Sequence, residues 1–421
     1  AVSKHLASHN IDIEPENIKM HGRLEPGKMF LVNMNEGRIV EDDEIKKSIV
    51  KKYPYSKWVK SNILPLSKIP YRVKKSPKEK LNFETRLKVF GYTKEDFKTI
   101  ILPMCNNGKE AIGSMGTDTP LAVLSKKPQL IYNYFKQLFA QVTNPPLDGI
   151  REEIITDTSL SLGSDYNIFD VIPDHAKKLK INNPIISNDD LEKIKYIEHE
   201  DFKACSINAN YEISKGHNGL EKALDNIVDK VEKKVDTNHN IIILSDRKTS
   251  KKNAPIPILL VCSYVHHSLI KRNKRSKFGI VIESAEPREP HHFSMLFGYG
   301  ASAINPYMVN EIIEYHHKLG FLNEQKLDKS IDNFNKAIAK GLLKIMNKIG
   351  ISTLHSYRGA QIFEALGLRQ KFVNKYFNNT PSRIEGAGLY VLEKEVSSRM
   401  NYAFNSEKDI SSMKTGGDYR W

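Results

Sequence analysis

Three histidine pairs punctuate the second half of the chain: His266–His267 in VHHSL, His291–His292 in EPREPHHFSM and His316–His317 in YHHKL, each beginning 25 residues after the one before. Imidazoles bind metals and move protons near neutral pH. Adjacent residues on a helix, however, point about 100° apart, so one pair cannot comfortably turn both rings to one ion. No HExxH or HxH spacing accompanies them, and those are the spacings that put two ligands on one face. The residues flanking the pairs do not repeat, so the even spacing is read as coincidence. The pairs are expected to cap and cross-link helices, with a metal-dependent hydrolase as the lesser reading. The run ESAEPRE ahead of His291 and His292 offers Glu283, Glu286 and Glu289 as partners.

A second group of chemistry-bearing residues lies in loops. In GSMGTDTPLAVLS, two glycines flank Ser114 and Met115, and Thr117, Asp118 and Thr119 precede Pro120. An Asp or Thr cap before a proline-led helix is the ordinary explanation. A glycine loop ahead of free helix amides can also receive a carboxylate. STLHSYRGAQIFEALGL places Arg358 and Gln361 beside an expected helix start, where the arginine can grip an anion or pair with Glu364,. NNTPSRIEGAGL, with Arg383, reads as a βα loop. There is no nucleophile elbow and no P-loop,. Cys105, Cys205 and Cys262 are far apart with no CxxC. They suggest no disulfide framework, zinc knuckle or iron–sulfur cluster from this chain alone, and a reducing compartment is the default.

The elements that must position these residues are legible in part. A chain of 421 residues is long enough for two or three domains, and 40% hydrophobic content supports real cores,. No run approaches roughly 18 apolar residues, so no membrane helix is expected. The net charge of +14 is spread over lysines interleaved with acids, with short clusters only at YRVKKSPKEK and KRNKRSK. Solvated faces explain it better than a nucleic-acid-binding module, which is the other alternative reading. KMFLVNM and RIV read as strands around the turn NEG, followed by a helix opened by acids,. Residues 51–100, basic and proline-punctuated, read as a surface linker, with globular patterning resuming at FGYTKEDFKTIILPMC,. TPLAVLSKKPQLIYNYFKQLFAQV reads as a helix, NPPLDGIREEI as a turn and a short acidic helix, and Ser187 or Asn188 as a cap,. From 241 onward, IIILSD and KFGIVIES read as buried strands alternating with helices at PIPILLVCSYVHHSLIKR, PHHFSMLFGYGA and NPYMVNEIIEYHHKLG. An amphipathic helix ending at glycine follows, and ISTLHSY then RGAQIFEALGL are expected to repeat strand then helix. Alternation of this kind implies an α/β fold with a parallel sheet, doubly wound or barrel-like. No GxGxxG supports the dinucleotide version, so a barrel-like fold is preferred,. The chain begins at Ala1 and ends in KTGGDYRW, which suggests a piece of a longer protein.

Longer motifs carry a family resemblance. SMGTDTPLAVLS, YNYFKQLFAQVTNPPLDGIREE, IILSDR, APIPILLVCSYVHHSLI, HHFSMLFGYGASAINPY, KGLLKIMNKIGISTLHSYRGAQIFEALGL and YFNNTPSRIEGAGL closely resemble, in order, the central part of the large subunit of glutamate synthase. The run ESAEPRE departs from the Gly-containing, ETGE-like run expected there. The resemblance implies four parts: the end of a class II glutamine amidotransferase domain at 1–50, a basic connector at 51–100, an incomplete (β/α)-barrel-like central domain at 101–400, and the lead-in to an FMN domain at 401–421. It implies an enzyme that frees ammonia from glutamine and passes it through an internal tunnel. Reduced FMN then converts 2-oxoglutarate to glutamate, with electrons relayed by a [3Fe-4S] cluster. FAD with NAD(P)H, or ferredoxin, supplies those electrons through a partner. This fragment is expected to bind no cofactor itself. Position 1 is Ala, and none of the three cysteines matches the amidotransferase nucleophile or the cluster ligands. Ser114, Met115, Gly116 and Asp118 are implied near the tunnel and its 2-oxoglutarate end, with Arg358 and Gln361 as second-line candidates. The implied partners are the flanking domains, the small-molecule substrates, and a reductase or ferredoxin, with neither nucleic acid nor membrane. The implied location is the cytoplasm or a plastid.

Overall fold

The computed structural model describes residues 14–18, 22–71, 81–111, 119–139, 143–322, 326–405 and 414–417. It divides into two compact units, Ala1–Ser61 and Asn62–Trp421.

In the first unit, the strands Leu31–Asn33 and Arg38–Val40 pair antiparallel. Asn33 Oδ1 accepts from the amides of Asn35 and Glu36 and so shapes the turn between them,. The helix Asp42–Lys52 opens on Asp42, Asp43 and Glu44 and closes on Lys51 and Lys52, charges placed to suit its dipole,. These are the strands and acid-led helix expected from the sequence.

The second unit is built on four strands: β1 (Ala204–Asn208), β2 (Ile241–Ser245), β3 (Gly279–Glu283) and β4 (Ala303–Asn305). They lie side by side in sequence order, every pair parallel. IIILS and GIVIE are buried at every position, as strands covered on both faces must be. The crossovers are α1 (Gly216–Asp236), α2 (Ile258–Lys271) and α3 (Pro290–Gly298), and α4 (Tyr307–Lys318) follows β4. Ile242, Leu244, Ile280 and Ile282 share one core with Leu224, Leu259, Phe293 and Ile312 from those four helices. On the opposite face, Ile241, Ile243, Val281 and Ala303 pack on Leu162, Leu179, Ile181 and Leu191. The last four come from the small sheet of Ile63–Pro65, Lys178–Ile181 and Leu160–Leu162, and from the helix Asn188–Lys195. Ser187 caps that helix, its Oγ accepting from the Asp190 amide at 3.1 Å.

Next come α5 (Leu327–Ile349), β5 (Phe363–Leu368), α6 (Gln370–Tyr376), β6 (Ser382–Ala387) and α7 (Leu389–Asn405). The structure is therefore mixed α/β around a parallel sheet, and among the described residues the sheet does not close into a barrel. No described helix is long and apolar enough to cross a membrane.

Four local expectations are corrected. The stretch read as a helix from 119 to 142 forms turns at Ala122–Leu124 and Ile131–Tyr134, then the strand Phe135–Gln137. Pro128 lacks the amide a helix needs, and the strand finds an antiparallel partner in β5. The order at 351–368 is inverted. Thr353 accepts from the Ser356 amide and starts the helical turn Leu354–Tyr357. RGAQIFEALGL becomes β5, because Gly359 and Gln361 take φ of 71° and 56° and stop any helix,. Arg383 stands on β6 rather than in a loop, 3.3 Å from Glu364. Finally, the stretch read as a linker contains core ahead of the globular run that begins at Phe90: Leu66, Ile69, Leu87 and Val89 are buried.

Candidate functional site

A parallel sheet gathers its last side chains and the following loops at its carboxyl end, where βα folds bind ligands. Here Asp246 follows β2, the run Ser284–Glu286 follows β3, and Tyr307 opens α4 after β4. Asp246 is fully buried. Its Oδ1 accepts from Tyr307 Oη at 2.8 Å, and its Oδ2 accepts from Ser284 Oγ and from the Ala285 amide at 3.1 Å. Burial pushes its carboxyl up to about 7, against the pull of the Ser284 and Tyr307 hydroxyls,. Glu286 Oε2 accepts from the Ile258 amide at 3.1 Å, at the first residue of α2. An unpaired helix amide there favours a carboxylate. Burial raises the Glu286 pKa as well, with Arg399 opposing.

Glu283, one strand end away, behaves oppositely. Burial would raise its pKa, but Arg247 at 2.6 Å and Lys195 at 2.8 Å hold it below the usual value. The Arg247 guanidinium also lies 4.0 Å from the Tyr307 ring centre.

Residues 83–101 close over this end. Tyr92 Oη donates to the Ala285 carbonyl at 2.7 Å. Arg288 donates to the Phe90 carbonyl at 3.2 Å, lies 3.6 Å from Asp96, and stacks 4.1 Å from the Tyr92 ring centre. Arg86 pairs with Glu311 of α4 at 2.6 Å, and Phe97 stacks on His316 at 3.5 Å. The carboxyl end is thus filled by the chain's own carboxylates and capped by its own aromatic and cationic side chains. A cleft of about 860 Å³, lined by Lys98, Thr99, Pro103, Asn106 and Lys109 among others, involves none of the Asp246 network.

Of the residues singled out by sequence, Ser114, Met115, Gly116 and Asp118 lie outside the described residues. Arg358 stands at the other end of the sheet, donating to Ser302 Oγ just before β4 at 2.9 Å and contacting His355 Nδ1 at 2.8 Å. Gln361 is exposed in the turn before β5. Neither meets the Asp246 network. The histidine pairs cap and cross-link: His292 Nε2 is 3.0 Å from Glu289, the cap of its own helix, His291 Nε2 is 3.2 Å from the Tyr132 carbonyl, and His266 Nδ1 accepts from Arg275 at 2.9 Å. Among the described residues no three His, Cys, Asp or Glu side chains gather as metal ligands. Burial pushes the thiols of Cys105 and Cys262 up to about 12 and that of Cys205 up to about 11. Such thiols stay protonated near neutral pH, so none is a ready nucleophile. Sequence reading missed Asp246 and Tyr92. An acid directly after a buried strand was the available signal for Asp246; Tyr92, 193 residues from Ala285, had none.

Residues 85–369 match the glutamate synthase central domain, and residues 6–58 match class-II glutamine amidotransferases. The chain belongs to the glutamate synthase family. It is 38% identical over 414 residues to the NADPH glutamate synthase large chain of Bacillus subtilis, covering 98% of this chain and 26% of that one. It is 36% identical over 419 residues to the NADH glutamate synthase of Schizosaccharomyces pombe, covering 96% and 20%. It is also 36% identical over 399 residues to ferredoxin-dependent glutamate synthase 2 of Synechocystis, covering 92% and 25%. The chain therefore spans only a fifth to about a quarter of the length of these relatives. Among solved structures, the flavin-binding domain of baker's yeast flavocytochrome b2 aligns at a TM-score of 0.32 with 9% identity, over 59% of this chain and 80% of that one. Neither a nucleic-acid module nor a metal-dependent hydrolase gains support.

Proposed function

We propose that this chain is the connecting block of a glutamate synthase, the enzyme that turns glutamine, 2-oxoglutarate and a reductant into two glutamates. In this reading, residues 1–50 end the amidotransferase domain and 401–421 lead into the flavin domain. The residues between them, from 101 or already from the cap at 83, are a reduced relative of a (β/α) barrel. The sequential strand order with its helices on one face supports that ancestry,.

The observation that carries the structural role is the occupied carboxyl end of the sheet. A flavin phosphate needs backbone amides and arginines free to meet its charge. Here the Ile258 and Ala285 amides already serve Glu286 and Asp246, and Arg247 and Arg288 are engaged by Glu283 and by Phe90 with Asp96. The site does not fit a flavin, and no redox step is assigned to this chain. FMN, the [3Fe-4S] cluster and the nucleophilic cysteine belong, in this reading, to the flanking domains. The electron donor, ferredoxin or NAD(P)H through a reductase partner, meets those domains too.

The block's remaining task is to guide ammonia. A wall that passes neutral ammonia without trapping ammonium has to be weakly polar. In this reading Ser114, Met115 and Gly116 supply the part of that wall nearest the 2-oxoglutarate end, with Asp118 close by in sequence. Lys109 and Glu110, five and four residues before Ser114 in sequence, line the 860 Å³ cleft. In the full-length enzyme, Met115→Trp is expected to uncouple glutamine hydrolysis from glutamate formation and to raise the KM for 2-oxoglutarate. Unchanged stoichiometry together with unchanged KM would remove the lining role.

A further inference from the structure

The amino end of the sheet carries a feature that the glutamate synthase reading leaves without a role. Residues 163–176 leave the strand Leu160–Leu162 and return to Lys178–Ile181 as a closed loop. Its base is pinned to the start of β3: the Asp165 amide donates to the Ser276 carbonyl at 2.7 Å, and Ser164 Oγ donates to the Lys277 carbonyl at 2.8 Å. Its interior is tied by His175 Nε2, which meets the carbonyls of Asn167 and Asp170 at 3.1 and 2.8 Å, and by Asn167 Oδ1, which accepts from the Phe169 amide. A loop so cross-braced holds its shape. Yet it presents Ile168 and Phe169 at 83% and 86% exposure, with Tyr166 and Val171 beside them at 40% and 48%. Four large apolar side chains on one braced loop form a patch of the kind that marks contact surfaces.

Beside that base stand two arginines. Arg275 donates to the Phe278 and Gly300 carbonyls and to His266. Arg358 donates to Ser302 and contacts His355. Among the described residues neither has a carboxylate within ion-pair distance. The acid that influences both is Asp165, which is already paired with Lys178. Burial lowers both guanidinium pKa values, that of Arg275 to about 10 with repulsion from Arg358 added, while Asp165 opposes the fall in each. Two partly buried cations without counter-charges favour an acidic neighbour.

We propose that the loop Tyr166–Val171, together with Arg275 and Arg358, docks another segment of the same parent polypeptide, one that presents an apolar pocket rimmed by Asp or Glu. The proposal rests on the glutamate synthase reading. The occupant follows from two observations. This chain covers 26% of the Bacillus relative, so most of such a polypeptide lies outside it and remains to be packed against it. A small anion would satisfy the arginines but leave Phe169 in water, whereas a protein segment meets both needs.

The test uses the full-length enzyme with Phe169→p-benzoylphenylalanine, and separately Ile168→p-benzoylphenylalanine, irradiated and mapped by peptide mass. Both side chains are exposed, so both variants should fold. The expected result is an adduct within one polypeptide, to a peptide beyond the 421 residues of this chain that carries Asp or Glu. Adding Arg358→Gln should cut its yield about threefold or more by weakening the charge pairing. Adducts confined to this chain, adducts joining two polypeptides, or a yield no higher than at an exposed Lys251→p-benzoylphenylalanine control would each overturn the proposal. The parent reading fails separately, if the unsubstituted full-length enzyme makes no glutamate from glutamine and 2-oxoglutarate.

Discussion

Asp246→Ala is expected to destabilise the folded chain by roughly 3–5 kcal/mol, because each buried donor left without an acceptor costs about 1–3 kcal/mol and neighbours relax in part. Ser284 Oγ, Tyr307 Oη and the Ala285 amide all lose their acceptor at once. The measurement is the midpoint of denaturant unfolding. A loss below about 1 kcal/mol, typical of an exposed site, would show that the three donors find other partners. The pH dependence is a sharper signature. The folded-state value of about 7 lies above that of an ordinary aspartate, so the folded chain keeps a proton that the unfolded chain has lost,. This contribution is full below about pH 4 and disappears as pH rises through about 7,. Wild-type stability should therefore fall across that window relative to Asp246→Asn. Parallel curves for the two proteins would mean that the hydroxyls, not burial, set the charge of Asp246. Glu283 runs the other way: its depressed pKa gives stability that is present above the usual carboxylate range and lost in acid,.

Gly300→Ala should cost about 3 kcal/mol or more, for two additive reasons. Gly300 has φ of 113°, outside what L-residues adopt readily, and an added Cβ would lie 2.3 Å from His266 Nδ1,. That nitrogen accepts from Arg275, which also donates to the Gly300 carbonyl, so the substitution strikes the whole junction at the amino end of the sheet. Gly359→Ala is the control. Its φ is 71° but nothing lies within 4 Å of an added Cβ, so only the backbone term of about 1 kcal/mol applies,. Melting curves of the two variants separate the effects, and equal losses would mean that His266 moves aside freely.

The sheet was readable because IIILS and GIVIE are short β-branched runs bounded by turn residues, and because Pro290 and Gly350 mark a helix start and a helix end where periodicity places them. The small elements were not. Phe135–Gln137 and Phe363–Leu368 become strands by pairing with each other, more than 200 residues apart, and no local propensity announces that,. The cap was missed for a similar reason. FGYTKEDFKTIILPMC reads as globular after a lysine- and proline-rich linker, but nothing local announces that its Tyr92 meets Arg288 over the sheet end. The histidine pairs misdirect attention: they carry structure, while Asp246, 20 residues before the first pair at the end of IIILSD, sits at the centre of the buried network. Arg358 was legible as a cation in search of an anion, but which end of the sheet it occupies depends on Ser302, which only the folded chain brings to it.

The most direct test is a titration of this chain with FMN, followed by flavin fluorescence. A sheet end already filled by Asp246 and Glu286 predicts no saturable binding up to concentrations at which flavin enzymes are fully loaded. A tight one-to-one complex would show that the carboxyl end opens to receive a phosphate, and the reading of this chain as a connecting block would be wrong.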